Sequence, residues 1–143
     1  MASYVNVHSQ LENKRQHASV HCTAGPRVLI IGQTDTGKST LSRILCNYAI
    51  RLGRKPTFVD LDVGQNLLTV PGGMAVTPLD KNCLHVEDIY VLTTPLVYYY
   101  GHASASENPE GYKEGVNVIA KSVQQRMEND DEGTEIVPVV YEY

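Results

Sequence analysis

The most informative segment of this 143-residue chain reads Gly32-Gln33-Thr34-Asp35-Thr36-Gly37-Lys38-Ser39. It fits the phosphate-binding pattern Gly-x-x-x-x-Gly-Lys-Ser/Thr. The two glycines permit a tight turn, so that backbone N–H groups approach phosphate oxygens without a clash from a Cβ atom. The lysine of such a loop reaches the β- and γ-phosphates, and the serine reaches Mg²⁺. The segment therefore predicts a nucleotide-binding loop.

The residues on both sides of this loop provide the context that the pattern requires. The apolar run 28–31 predicts a buried parallel strand, and residues 39–52 predict an amphipathic helix that ends at Gly53. Residues 57–61 predict a second buried strand, which completes one right-handed βαβ unit. We therefore expect an α/β fold of the P-loop NTPase type, with a mostly parallel sheet flanked by helices. The core is expected to be incomplete, because the sequence indicates only three strands.

The remaining segments give weaker structural signals. They predict an N-terminal helix capped by Asn6, a turn at residues 71–73, a third strand at 89–94, a loop at 107–111 and an amphipathic helix at 112–127.

Composition and charge exclude several classes of protein. Apolar residues make up 42% of the chain and charged residues 20%, as in ordinary globular proteins. The chain has no apolar run of membrane-spanning length, and its start does not resemble a secretory signal. Three scattered cysteines argue against a disulfide framework or a cysteine-based zinc module, and for a reducing compartment. The net charge of −4 combines −6 from residues 128–143, which hold six acidic and no basic side chains, with +2 from residues 1–127.

Two aspartates follow the second predicted strand, at the sheet edge where ligands bind in open α/β folds. Asp62 can hold the water shell of Mg²⁺ or accept a proton from an attacking hydroxyl. Strand alternation places Asp60 on the same side as Asp62, so that the two carboxylates could share this work. Gln65 can position the acceptor or a water. The alternative for all three is a local role in ending the strand or capping the next segment.

The other polar clusters have both a structural and a functional interpretation. His17 and His21 have a metal-binding spacing but no third ligand, and the basic corner 51–55 is typical of a solvated turn. The run Tyr98-Tyr99-Tyr100 could stack on bases or be divided between core and surface. Within the glycine-rich loop, Thr34 and Asp35 could contact the acceptor or make turn hydrogen bonds.

Several separate motifs also match one known family in order and spacing. The chain resembles the polynucleotide 5′-hydroxyl kinase family of the eukaryotic pre-mRNA cleavage complex, which also acts with the tRNA-splicing endonuclease. The resemblance runs from Tyr4 to Arg126, and it is carried by residues 4–12, 25–40, 51–57, 62–65, 70–72, 94–98 and 125–126. Family domains on both sides of the kinase core, the later strands of that core and its lid arginines have no counterpart here.

The resemblance implies a site and a function for this chain. It divides the chain into a partial P-loop kinase core, residues 1–127, and a disordered or divergent acidic tail, residues 128–143. It implies Lys38 and Asp62 as catalytic residues, and Ser39 and Asp62 as Mg²⁺ ligands. ATP is then expected to contact Gly32, Gln33, Thr34, Asp35, Thr36, Gly37, Lys38, Ser39, Thr40 and Gln65.

The expected partners are RNA with a 5′-hydroxyl end and subunits of the pre-mRNA cleavage complex or the tRNA-splicing endonuclease. The expected location is the nucleus, with no membrane attachment. Four alternatives remain open at this point: an ATP-binding scaffold without catalysis, a nucleolar ribosomal-RNA kinase, a small-molecule kinase and a P-loop GTPase. The GTPase is disfavoured because the sequence has no Asn-Lys-x-Asp motif for guanine.

Overall fold

A computed structural model of the chain describes residues 2–21, 23–33, 35–79, 95–129 and 135–139. Its elements, in chain order, are α1 (Ala2–His21), α2 (Lys38–Arg51), β1 (Pro56–Asp60), β2 (Gly73–Pro78), β3 (Leu96–Tyr99), α3 (Pro109–Asn129) and β4 (Glu135–Val139). The third strand predicted at 89–94 lies outside the described residues, as does Thr34.

The four strands form one mixed sheet in the order β3-β2-β1-β4. The β1–β4 pair is parallel, whereas β1–β2 and β2–β3 are antiparallel. The α/β architecture is confirmed, but the described sheet is not mostly parallel. The chain reverses direction in the predicted turn at 71–73, where Gly72 has a φ of 86° and its N–H donates to the Val63 carbonyl oxygen across 2.7 Å. A returning chain of this kind pairs antiparallel without a crossover helix.

The apolar run 28–31 is not one of these strands, so the prediction of a βαβ unit is wrong for the described part of the chain. Only single bridges form here, at Arg27 and Ile30. Ile30 packs against Leu11 and Leu45, while Leu29 and Ile31 remain 55% and 51% exposed. A continuous apolar run forms a buried parallel strand only where helices cover both faces of the sheet. Here α1 and α2 cover one face of the run.

Helix α1 packs against α2, and α2 packs against strands β1 and β4. Helix α2 begins one residue before its predicted start, and Gly53, with a φ of 75°, follows its C-terminal end as predicted. Helix α1 begins at Ala2, so Asn6 lies within the helix and is not its N-cap. Among the helices that the structure describes, none has a stretch long and apolar enough to cross a lipid bilayer.

Helix α3 begins at Pro109, three residues earlier than predicted, and the preceding loop ends at Asn108. The Asn108 side-chain oxygen accepts a hydrogen bond from the N–H of Gly111 across 3.1 Å, and proline is favoured in the first helical position. The helix buries Ile119 and Val123 against the sheet, whereas Ala120, predicted on the same face, is exposed.

Gly115 brings α3 unusually close to strands β2 and β3. A Cβ atom at this position would clash with the Met74 methyl group and would lie 2.7 Å from the Tyr98 ring. Glycine is therefore required by packing here, although it disfavours a helix interior.

Strand β4 lies in the segment 128–143, which was expected to be a disordered or divergent tail. Residues 135–139 instead pair with the whole of β1, from Pro56 opposite Glu135 to Asp60 opposite Val139. This corrects the expectation of disorder for that stretch.

Candidate functional site

The glycine-rich loop leads directly into α2 and closes around one carbonyl group. Gly37, with a φ of 85°, precedes Lys38, the first residue of the helix. The Lys38 Nζ and the Thr36 hydroxyl both donate to the Gln33 carbonyl oxygen, across 2.5 and 2.7 Å. A Cβ atom on Gly32 would lie 3.1 Å from the Thr36 hydroxyl, so this glycine permits the tight turn. Among the residues that the structure describes, no side chain caps the N-terminus of α2, and its first turn is therefore suited to an anion.

A pocket of about 490 Å³ lies in front of this loop. Its walls come from three parts of the chain: the loop with the first turn of α2, the segment after β1, and the segment before α3 with the first turn of that helix. The lining residues are Asp35, Gly37, Lys38, Ser39, Thr40, Leu61, Asp62, Val63, Gln65, Ala103, Ser104, Ala105 and Tyr112.

The pocket brings together most of the residues that the sequence predicted for the site. Asp62 and Gln65 share it with Lys38 and Ser39, as expected for a loop and a strand end at one sheet edge. Three predicted residues, Gly32, Gln33 and Thr36, shape the loop without lining the pocket. The roles assigned to all of these residues stay predictions.

The Asp62 side chain is held by the backbone that follows it. Its Oδ1 accepts hydrogen bonds from the N–H groups of Gly64 and Gln65, across 2.7 and 3.1 Å. Within the described part of the chain, Oδ2 accepts no hydrogen bond. Asp62 therefore presents a carboxylate oxygen that can serve a metal ion or a proton.

Asp60 is fully buried and does not line the pocket, so the expectation that it shares the work of Asp62 is wrong. Its carboxylate accepts hydrogen bonds from the N–H groups of Asp62 and Leu67, across 3.0 and 2.7 Å. Burial raises the pKa of Asp60 to about 7, although these two bonds oppose the shift. Asp60 ends the all-buried β1, whereas Asp62 lies beyond the strand, where strand alternation no longer applies.

Asn66 lies in the loop that connects β1 to β2. It is buried and polar, and the sequence did not mark it as a functional residue. Its side chain makes hydrogen bonds to five backbone groups between Asp60 and Gly73. Asparagine commonly bonds backbone groups in turns, and the nearby turn at 71–73 is the only signal in the sequence that could have drawn attention to it.

In the third wall of the pocket, Tyr112 lines the cavity and Tyr100 packs against it. The Tyr112 hydroxyl donates to the Leu61 carbonyl oxygen across 3.1 Å, and its ring meets that of Tyr100 edge-on. The Tyr100 hydroxyl accepts a hydrogen bond from the Asn108 N–H across 2.9 Å. Tyr98 is half-buried while Tyr99 is 69% exposed, so the three tyrosines are divided between core and surface.

The other polar candidates contribute to α1 and its packing. The His17 and His21 rings lie 4.1 Å apart, and the described residues contain no cluster of three metal-ligating side chains. Arg54, from the basic corner, pairs with Glu12, which also pairs with Arg15. Burial raises the pKa of Glu12, but the hydrogen bonds from Arg54 and Arg15 outweigh it and hold the pKa below its usual value.

Comparison with known proteins gives a consistent result. The model of the family described as mRNA cleavage and polyadenylation factor CLP1 P-loop matches residues 32–140. This match includes most of the segment that was expected to diverge. A CLP1 homolog of Arabidopsis thaliana is 42% identical over an alignment of 138 residues, and the match covers 92% of this chain and 31% of the relative. The polyribonucleotide 5′-hydroxyl-kinase Clp1 of Gallus gallus is 42% identical over 128 residues, 90% of this chain and 30% of the relative.

Solved structures that are similar to this chain come from the same family as these relatives. Clp1p in a wild-type Clp1p–Pcf11p complex superposes with a TM-score of 0.81 and 31% identity, over 98% of this chain and 35% of that one. A second structure, described as showing an extended Pcf11p–Clp1p interface and the basis for ATP loss in a point mutant, gives a TM-score of 0.79 and 30% identity. It covers 97% of this chain and 35% of that chain. The chain spans about a third of the length of the curated relatives that it matches.

Proposed function

This chain belongs to the CLP1 P-loop family, and on that premise we propose that it transfers the γ-phosphoryl group of ATP to the 5′-hydroxyl end of RNA. The process served would be pre-mRNA 3′-end formation or tRNA splicing, in the nucleus. One observation carries the proposal: a single pocket holds Lys38 and Ser39 on one side and Asp62 and Gln65 on the other. A kinase that transfers a phosphoryl group to a hydroxyl uses a phosphate-binding loop on one side and a carboxylate on the acceptor side.

The ATP phosphates would lie against the glycine-rich loop and the uncapped first turn of α2. The backbone N–H groups there and the positive end of the helix favour a bound anion. Lys38 would exchange its hydrogen bond to Gln33 for contacts with the β- and γ-phosphates. Its ammonium group then offsets the negative charge on the γ-phosphoryl group during transfer.

The residues present also fit a Mg²⁺ ion. Ser39 and Asp62 line the same pocket and offer a hydroxyl and a carboxylate oxygen, which are donors that Mg²⁺ prefers. When bound, the ion would supply positive charge beside the phosphates.

The acceptor hydroxyl would enter on the Asp62 side of the pocket. Its oxygen forms a bond to the γ-phosphorus as the bond from that phosphorus to the bridging oxygen of ADP breaks. The proton of the hydroxyl passes to the Asp62 carboxylate, and the Gln65 amide orients the hydroxyl for in-line attack.

The test is transfer of labelled γ-phosphate from ATP to an oligoribonucleotide with a 5′-hydroxyl end. Lys38→Ala should lower the rate by orders of magnitude, and the matched variant Lys121→Ala, at an exposed position on α3, should leave it unchanged. Equal transfer by Lys38→Ala, or none by folded wild-type protein, would refute the kinase. Competition by GTP rather than by unlabelled ATP would favour the GTPase alternative. Phosphorylation of a free nucleoside but not of RNA would favour the small-molecule kinase.

The similarity to Clp1p in complex with Pcf11p also favours a second function, that of an ATP-stabilised scaffold. ATP would then stabilise the fold by linkage and hold a surface ready for a Pcf11-type subunit of the cleavage machinery. This function predicts ATP binding without turnover, together with loss of partner capture in Lys38→Ala.

A further inference from the structure

We propose that Asn66 is a positioning residue of this site, which holds the loop between β1 and β2 so that the Asp62 carboxylate faces the phosphate-binding loop. The inference rests on the role proposed above for Asp62. It concerns a side chain that does not line the pocket and acts only through its neighbours.

The Asn66 amide nitrogen holds the two ends of this loop together. Nδ2 donates to the carbonyl oxygens of Asp62, across 3.1 Å, and of Gly73, across 3.2 Å, and the Asp60 carbonyl oxygen lies 3.4 Å away. One amide group thus joins the residue that faces the pocket to the first residue of β2. These bonds are shielded from water, because Asn66 is only 8% exposed.

The Asn66 side-chain oxygen fixes the next turn of the loop. Oδ1 accepts hydrogen bonds from the N–H groups of Leu68 and Thr69, across 2.8 and 2.9 Å. All the donors and acceptors of the amide are therefore used, and its orientation in the loop is determined.

Asp60 holds the same loop from the β1 side, and Asp62 is fixed between the two. The Asp60 carboxylate accepts the N–H of Asp62, while the Asn66 amide donates to the Asp62 carbonyl oxygen. The Asp62 side chain in turn receives the N–H groups of Gly64 and Gln65. The bonds from Asn66 and Asp60 thus fix the backbone of Asp62, and the N–H groups of Gly64 and Gln65 hold its carboxylate.

A role only in folding would leave the chemistry of the site unchanged once the protein has folded, so the test must isolate the dependence on Asp62. We would measure ATP affinity with Mg²⁺ and with EDTA in the full chain and take the ratio as the metal enhancement. The variants are Asp62→Ala, Asn66→Asp and the double variant. Asn66→Asp keeps an acceptor for Leu68 and Thr69 but sets an oxygen against the backbone carbonyls.

We expect Asn66→Asp to lose most of the metal enhancement, while its affinity for ATP in EDTA changes less than twofold. We also expect the double variant to lose no more than Asp62→Ala alone, because Asn66 acts through Asp62. Val123→Ala, a buried change in α3 away from the pocket, controls for lowered stability and should keep the enhancement. Retention of the wild-type enhancement by Asn66→Asp, or multiplicative losses in the double variant, would overturn the proposal.

Two further measurements keep this outcome separate from that of the kinase assay. If Asn66→Asp does not fold, Asn66→Ala replaces it, because it removes the same bonds without adding a charge. If the wild-type chain binds ATP but transfers no phosphate, the kinase proposal fails and the cycle of variants still decides the role of Asn66.

If Mg²⁺ has no effect on ATP binding by the wild-type chain, amide hydrogen exchange at Gly64 and Gln65 decides the role of Asn66. About tenfold faster exchange in the Asn66 variant supports positioning, and unchanged exchange refutes it.

Discussion

The Lys38 ammonium group donates a hydrogen bond to the Gln33 carbonyl oxygen across 2.5 Å, within the loop to which both residues belong. The lysine that is expected to contact phosphate is thus held by the protein's own backbone. Nucleotide binding must exchange this bond for contacts with phosphate oxygens.

Replacing this lysine should separate binding from stability. We expect Lys38→Met to lower ATP affinity by at least about 100-fold, because the ammonium–phosphate contacts are lost. The free energy of unfolding should change by no more than about 1 kcal/mol, because Gln33 is exposed and water can bond its carbonyl group. Calorimetric titration and thermal unfolding with and without ATP measure the two effects. A variant that binds ATP as tightly as Lys121→Met does would contradict the assignment.

Two substitutions at Asp62 should separate its charge from its hydrogen bonds. Asp62→Asn keeps an acceptor for the N–H groups of Gly64 and Gln65, whereas Asp62→Ala removes it. Both variants should lose phosphoryl transfer by orders of magnitude, because neither offers a carboxylate. Only Asp62→Ala should also lose stability, by about 1 kcal/mol. Labelled transfer and urea unfolding test this pair, and near-normal transfer by Asp62→Asn would exclude a role for the charge.

The buried Asp60 should make stability depend on pH. Its pKa is raised to about 7 in the folded protein, from 3.8. Between these values the folded protein keeps a proton that the unfolded chain has released, so stability falls as pH rises from about 4 to about 7. The contribution of this one group is at most about 1.4 kcal/mol for each pH unit. Above pH 7 it has no further effect.

Asp60→Asn should remove this contribution, because the amide does not titrate. Urea unfolding of both proteins at a series of pH values gives the difference in slope, and other titrating groups cancel in the comparison. Parallel stability curves for the two proteins between pH 4 and 7 would show that Asp60 is ionised in the folded state.

Gly115→Ala should destabilise the protein, although helix propensity alone predicts a gain of about 1 kcal/mol. The new methyl group would meet the Met74 side chain and the Tyr98 ring, and overpacking of this kind costs about 1–3 kcal/mol. Ala120→Gly, on the exposed face of the same helix, measures the propensity effect separately. Thermal unfolding of both variants decides, and a raised melting temperature for Gly115→Ala would mean that α3 can move away from the sheet.

The parts of the fold that depend on local pattern were predictable from the sequence. The loop that ends at Lys38, the helix α2 and the buried strand β1 are encoded by neighbouring residues. Strand pairing was less predictable: the run 28–31 has the composition of a buried strand, but its burial depends on partners distant in the chain. Strand β4 was missed because its contacts with β1 join residues that are far apart in sequence.

For the site, too, the sequence predicted the residues that follow a local pattern but not those defined by distant contacts. Spacing alone placed Asp62 and Gln65 opposite the loop, because both follow a strand that ends at that edge. Strand alternation also suggested that Asp60 could share the work of Asp62, but β1 ends at Asp60, which is buried outside the pocket. Asn66 had only the nearby turn at 71–73 as a signal, because its side chain bonds backbone groups whose positions the sequence does not give.

The absence of a side chain at Gly115 has a consequence for how this site can evolve. Three residues earlier on the same helix, the Tyr112 hydroxyl reaches the Leu61 carbonyl oxygen and forms one wall of the pocket. The distance between α3 and the sheet therefore sets the breadth of the pocket. A larger residue at Gly115 would push this wall outward, so selection for a bulkier substrate can act at a position that does not line the pocket.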